Sequence, residues 1–183
     1  VLTATGKDAE NFLQSQLTCD VTKIMENEAV LTSWCAPNGR VKHLLNVLRS
    51  KETLFIAVSR DLVGKFLDQI GIYVLNSDVV FKDVSDSILA FISTPSLKKE
   101  TKLQLGSVLE TQKFWLESSA SAISPNAITL LEIRQNTPRI NLELSEKFLP
   151  QELNLHVRGG LSFEKGCFPG QEIIARVKYR GNI

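Results

Sequence analysis

Cysteine is scarce in this chain. Cys19, Cys35 and Cys167 stand far apart among 183 residues, with no CxxC pair. That spacing excludes a disulfide framework and a self-contained zinc site, and it suits a reducing compartment. Histidine occurs only as His43 and His156, without metal-ligand spacing to each other or to a cysteine, so no metal centre is expected. Aromatic residues make up 7% of the chain and are not interleaved with basic ones, which leaves no stacking platform for single-stranded nucleic acid. No charge sign dominates: 21 Lys and Arg oppose 20 Asp and Glu. Charge therefore gives no reason to expect direct nucleic-acid binding or a membrane surface. The longest apolar runs, such as ILAFI, fall far short of a membrane span. Neither GxGxxG nor GxxxxGK[ST] occurs, so nucleotide-phosphate cradles have no support.

What is present is an ordinary globular composition, 43% hydrophobic and 22% charged, enough for one large domain or two small ones. The opening VLTATG reads as a strand, and KDAENFLQSQL carries Ala9, Phe12, Leu13 and Leu17 at helical spacing. AVLTSWC and RVKHLLNVLR read as two strands joined at Pro37-Asn38-Gly39, a strong hairpin signal. From Glu52 the order predicted is β-α-β-β-α-β. TLFIAVS, DVVFKDVS, DSILAFIST and AITLLEIRQ supply the strands, RDLVGKFLDQIGIYVL the first helix, and SLKKETKLQLGSVL a helix or loose connection. Such an order matches a ferredoxin-like unit. LESSASAISPN is the most linker-like stretch.

The tail is rich in turn formers and holds FEKGCFPGQE, Phe163 to Glu172. Pro169 suits the first turn of a following helix, Gly181 its end, and Arg176, Lys178 and Arg180 its last turns. Cys167 then lies just ahead of a helix N-terminus with Lys165 two residues upstream. Two fates are open to it. Near the positive helix end and the lysine, a thiolate is favoured; buried among apolar groups, the thiol is inert.

The segment KGCFPGQEIIAR followed by YRG resembles the signature of the YgfZ family, K-G-C-[YF]-x-G-Q-E. GKDAENFLQSQLTCDV, APNGRV, FLPQELNL and GGLSFEKGC agree as well, so the resemblance covers most of the chain apart from its middle. It implies an α+β, aminomethyltransferase-like folate-binding fold. Residues 1–49 and 131–183 would form a discontinuous domain interrupted by a ferredoxin-like unit over 50–130. A C-terminal barrel would follow Ile183, and the chain, which begins without Met, is expected to be a fragment. The resemblance also implies tetrahydrofolate or a related folate as cofactor. It implies support for the assembly or repair of iron–sulfur clusters in client enzymes, including tRNA-modifying ones, through transient partners. The compartment implied is the cytoplasm of a bacterium or the mitochondrial matrix of a eukaryote.

On the same grounds Cys167 and Lys165 are the expected working residues, with Gly166, Phe168, Gly170, Gln171 and Glu172 completing the motif. Arg134, Asn38 and Arg40 are the expected folate contacts. The chain departs from the transferase relatives in two places. Their acidic pair after the hairpin falls here on His43 and Leu44, and leucine can neither hold nor move a proton. Their folate-gripping glutamate falls on Arg134, with Asn136 where glycine is common; a cation can hold a folate carboxylate but not accept from a pterin. No aminomethyltransferase activity is therefore expected. A folate-dependent one-carbon transferase or demethylating enzyme and a non-catalytic binding module are the alternatives. With too few cysteines for a four-thiolate cluster, any cluster contact would be shared with a partner.

Overall fold

The computed structural model describes residues 1–93, 102–107 and 125–181. Two compact units divide the chain, one comprising Leu2–Asp83 with Ile140–Ile183 and the other Val84–Arg139 with Val1.

The larger unit is built on a five-stranded antiparallel sheet of order β2-β3-β4-β1-β5. Its strands are β1 (Leu2–Thr5), β2 (Ala29–Cys35), β3 (Val41–Ser50), β4 (Thr53–Val58) and β5 (Val80–Asp83). Helix α1 (Ala9–Gln16) follows β1, and α2 (Val63–Val74) joins β4 to β5. Successive strand residues point to opposite faces, which sorts the core in two. Trp34 and Leu45 join Phe12 and Leu13 of α1 and Phe66 and Ile70 of α2 in one buried cluster. Cys35 and Leu44, their chain neighbours, join a second cluster with Ile140, Leu155, Leu161, Phe168 and Ile174 from the tail. The hairpin read at Asn38-Gly39 is present between β2 and β3.

Beyond Ile140 the chain runs through successive turns before α4 (Gln171–Arg180). This tail is ordered by contacts with the sheet rather than by its own periodicity. Val41 N donates to Phe148 O, Glu146 N to Val41 O, and Ser162 N to Thr18 O. Where Gly160 crosses β2, the Thr18 and Thr32 hydroxyls donate to its carbonyl at 2.7 and 3.1 Å. A Cβ on Gly160 would lie 2.0 Å from Leu31 O, so only glycine permits that crossing.

The smaller unit contains the antiparallel pair β6 (Ile88–Ser93) and β7 (Lys102–Ser107) and helix α3 (Pro125–Arg134). Three expectations change here. The division falls at Val84 and Arg139, not at 50 and 130, so β4, α2 and β5 belong to the large sheet instead of opening a second unit. KLQLGS, read within a possible helix, is a strand that pairs with β6. AITLLEIRQ, read as a strand, is helical. Pro125 occupies its first position, where the missing N–H costs nothing, and Asn136 at φ 50° terminates it. Thr137 N closes back onto Glu132 O. The linker-like stretch lies outside the described residues apart from Pro125 and Asn126.

Candidate functional site: the cysteine loop and its anchors

Loop 163–170 crosses from the sheet to α4, and its residues alternate between anchored and exposed. Phe168 is buried at 6% exposure in the second core cluster. Gly170 is the N-cap of α4 in the left-handed region (φ 81°), so Pro169 precedes the helix instead of opening it. The Gly170 backbone lies against the hairpin: a Cβ there would sit 2.5 Å from Gly39 Cα and 2.6 Å from Ala36 O. Gln171 Nε2 donates back to Lys165 O at 3.5 Å, and Glu172 is exposed in the first turn.

Between these anchors Gly166 and Cys167 are exposed, and Cys167 is the only one of the three cysteines that is. Cys19 is buried, and burial raises its thiol pKa despite the hydrogen bond with Thr32 and the charge of Lys165. Burial likewise pushes Cys35 up to about 12, against the hydrogen bond from Ser33. Those two cysteines are packing residues.

Lys165 does not act as expected. Read from sequence as a loop cation that favours the Cys167 thiolate, it is buried at 8% exposure. Its Nζ donates to Gln14 O, to Leu17 O at 2.6 Å and to Cys19 O at 2.7 Å, and lies 5.4 Å from the Phe168 ring centroid. An ammonium has three donors, and all three are committed. Burial lowers its pKa to about 8, opposed by Cys19 and Asp20. Each carbonyl also holds a proton of the charged form and works against that fall. Lys165 anchors the loop through these three carbonyls.

The hairpin residues proposed for folate sit at the same end of the unit. Asn38 Oδ1 accepts from Arg40 N at 3.1 Å, and the Arg40 guanidinium donates to Lys147 O; both residues are exposed. Arg134 is exposed in the last turn of α3, in the other unit. His43, where the transferases carry an acid, is fully buried. It stacks on Trp34 at 5.7 Å, and its Nε2 lies 3.1 Å from Gln69 Oε1. Burial holds its pKa below the ordinary value, and the contact with Gln69 opposes this. Leu44 is buried in the second core cluster.

Sequence reasoning missed Gln151, which is buried and donates from Nε2 to Ile174 O at 2.6 Å, tying FLPQELNL to α4. It also missed the Thr18–Thr32–Ser33 hydroxyl cluster beneath Gly160, for which the Gly159-Gly160 pair was the only visible sign. A cleft of about 450 Å³ opens beside the loop, lined by Phe163, Glu164, Asp20 and Ile24 among others. Lys178 of α4 lies 3.9 Å from the Phe163 ring centroid. Among the described residues no group of His, Cys, Asp and Glu could hold a metal, and no helix is long and apolar enough to cross a membrane.

No family model matches the chain. It is 32% identical over 183 residues to an uncharacterized protein of Haemophilus influenzae, a match covering 96% of this chain and 65% of that one. It is 27% identical over 212 residues to the tRNA-modifying protein YgfZ of Cronobacter sakazakii (98% and 64% covered). Against the tRNA-modifying protein YgfZ of Vibrio atlanticus it is 26% identical over 204 residues (98% and 63% covered). The chain thus spans a little under two thirds of the length of these relatives. Among solved structures, the glycine cleavage system aminomethyltransferase T from Bartonella henselae matches with a TM-score of 0.76 at 11% identity, covering 98% of this chain and 61% of that one. In sequence the chain is similar to proteins named tRNA-modifying protein YgfZ, and its fold is that of the glycine cleavage aminomethyltransferase T.

Proposed function

We propose that this chain belongs to a folate-binding accessory factor that supports the assembly or repair of iron–sulfur clusters in client enzymes, including tRNA-modifying ones. The observation that carries the reading is Cys167: it is the one exposed thiol, presented on a loop whose flanking residues are fixed. A thiol held outward between fixed points suits transient bonding to a partner's sulfur or iron better than internal packing. The relatives named as tRNA-modifying proteins and the aminomethyltransferase fold support the same reading.

The residues fit only half of a folate. Arg40 and Asn38 of the hairpin offer exposed donors suited to the glutamate carboxylates. No acid stands at positions 43 and 44 to take up a proton at the pterin end, where a neutral His43 is sealed against Trp34 and Gln69. Folate would be held here without one-carbon transfer through an acid, which sets this reading apart from an aminomethyltransferase. The work would take place in a reducing compartment, the bacterial cytoplasm or the mitochondrial matrix, where Cys167 stays a thiol.

The test is replacement of the native gene by a Cys167→Ala allele, with iron–sulfur enzyme activities measured in the cells. Reduced activity of those enzymes at unchanged protein level is the expected result, and full activity overturns the reading.

A further inference from the structure

We infer that Lys165 is a positioning residue for Cys167: its ammonium pins the thiol-bearing loop to backbone carbonyls in the last turn of α1 and just beyond it. The inference rests on the reading of Cys167 as the working thiol. Helix α1 ends at Gln16, and carbonyls of a last helical turn have no partners within the helix. The chain leaves the helix there for β2: Thr18 N, the donor that would close on Gln14 O in a longer helix, pairs with Ser33 O. Lys165 fills this gap with three N–H donors and places a cation where the helix dipole favours one.

The consequence for Cys167 is geometric. Residue 165 is fixed by its ammonium, residue 168 by burial of its ring and residue 170 by contact with Gly39. Only Gly166 and Cys167 lie between the first two fixed points, so the loop cannot turn the thiol inward without releasing one of them. Glu164 and Phe163, just before the clamp, line the cleft together with Asp20, which follows Cys19 directly.

A nitroxide attached to Cys167 through a disulfide reads this directly, because Cys19 and Cys35 are buried. In the purified protein at pH 7 the spectrum should be that of a restricted label. In Lys165→Met, which keeps the apolar stem and removes the donors, the label should become several-fold more mobile at temperatures well below unfolding. The native protein supplies a second measurement that needs no variant. The charged and titratable groups facing the ammonium are Asp20 and Cys19, and the thiol of Cys19 is raised by burial. As pH rises through about 8, Lys165 loses its charge and the native label should loosen. The Lys165→Met label should not respond over the same range. A restricted label in Lys165→Met, or a native spectrum unchanged from pH 7 to well above the Lys165 midpoint, overturns the inference. If Lys165→Met does not fold, the native titration decides. Neither readout depends on client enzymes, so failure of the positioning role and failure of the proposed function are separately visible.

Discussion

Gly39 of the β2–β3 hairpin and Gly170 at the start of α4 meet backbone to backbone, with no room for a side chain on Gly170. A Cβ there would come within 2.5 Å of Gly39 Cα and 2.7 Å of Gly39 N, and the residue already has φ 81°. Gly170→Ala should therefore lower stability by about 3 kcal/mol, from overpacking and backbone strain together. For a chain of this size that is a fall of roughly 6–12 °C in melting temperature. Gly166→Ala is the matched control, since nothing lies within 4 Å of its Cβ position and its φ is not positive. It should melt within about 0.5 kcal/mol of the native protein. Equal melting temperatures for the two variants would show that the hairpin and the helix are not in contact.

Iodoacetamide should label Cys167 well before Cys19 or Cys35 at neutral pH. The order follows from exposure: two of the thiols are buried, one with its pKa raised to about 12, and the third is open to solvent. Mass spectrometry of timed digests gives the rate at each site. Faster labelling of Cys35 than of Cys167 would mean that the second core cluster opens readily.

Lys165→Ala should destabilise the protein as a core substitution does, by roughly 3 kcal/mol or more. Two buried carbonyls and one part-buried carbonyl lose their donor, and each buried unsatisfied group costs about 1–3 kcal/mol. This reverses the expectation for a loop lysine, which is ordinarily solvated. Urea denaturation followed by circular dichroism measures it; a midpoint equal to native would mean that water replaces the ammonium at no cost.

His43 should make the protein less stable as pH falls. Its folded-state pKa is depressed by burial, so below the ordinary 6.5 the unfolded chain takes up a proton that the folded chain refuses. The stabilisation is complete above 6.5 and is lost progressively beneath it. Urea midpoints should decline between pH 7.5 and pH 5, and more shallowly in His43→Gln, which cannot be protonated. Parallel declines would assign the acid sensitivity to other groups.

The readable parts of this fold were those written in local chemistry. The Asn-Gly turn, the spacing of Phe12 and Leu13, and the Phe66–Ile70 face each describe a neighbourhood of a few residues, and each is present. AITLLEIRQ failed because its β-branched residues favour a strand, while the Pro125 start and Asn136 stop that decide for a helix lie at its edges. Lys165 failed for a different reason. Its partners are backbone carbonyls, which have the same chemistry at every residue and leave no mark in a sequence. The nearest cysteine in sequence is Cys167, whereas Cys19 is the cysteine whose carbonyl it holds.

The clamp has a consequence for how the chain is made. Lys165 follows Gln14 by 151 positions and Cys19 by 146. At a synthesis rate of about 5–20 residues per second, the interval between them is roughly 7–30 s. Through that interval the emerging α1 and β2 have neither the ammonium nor the carbonyl of Gly160 to complete them. The first half of the large sheet must wait on the ribosome for the last 44 residues, Ile140–Ile183, to arrive. During that wait its unfinished apolar face is the surface a chaperone would find.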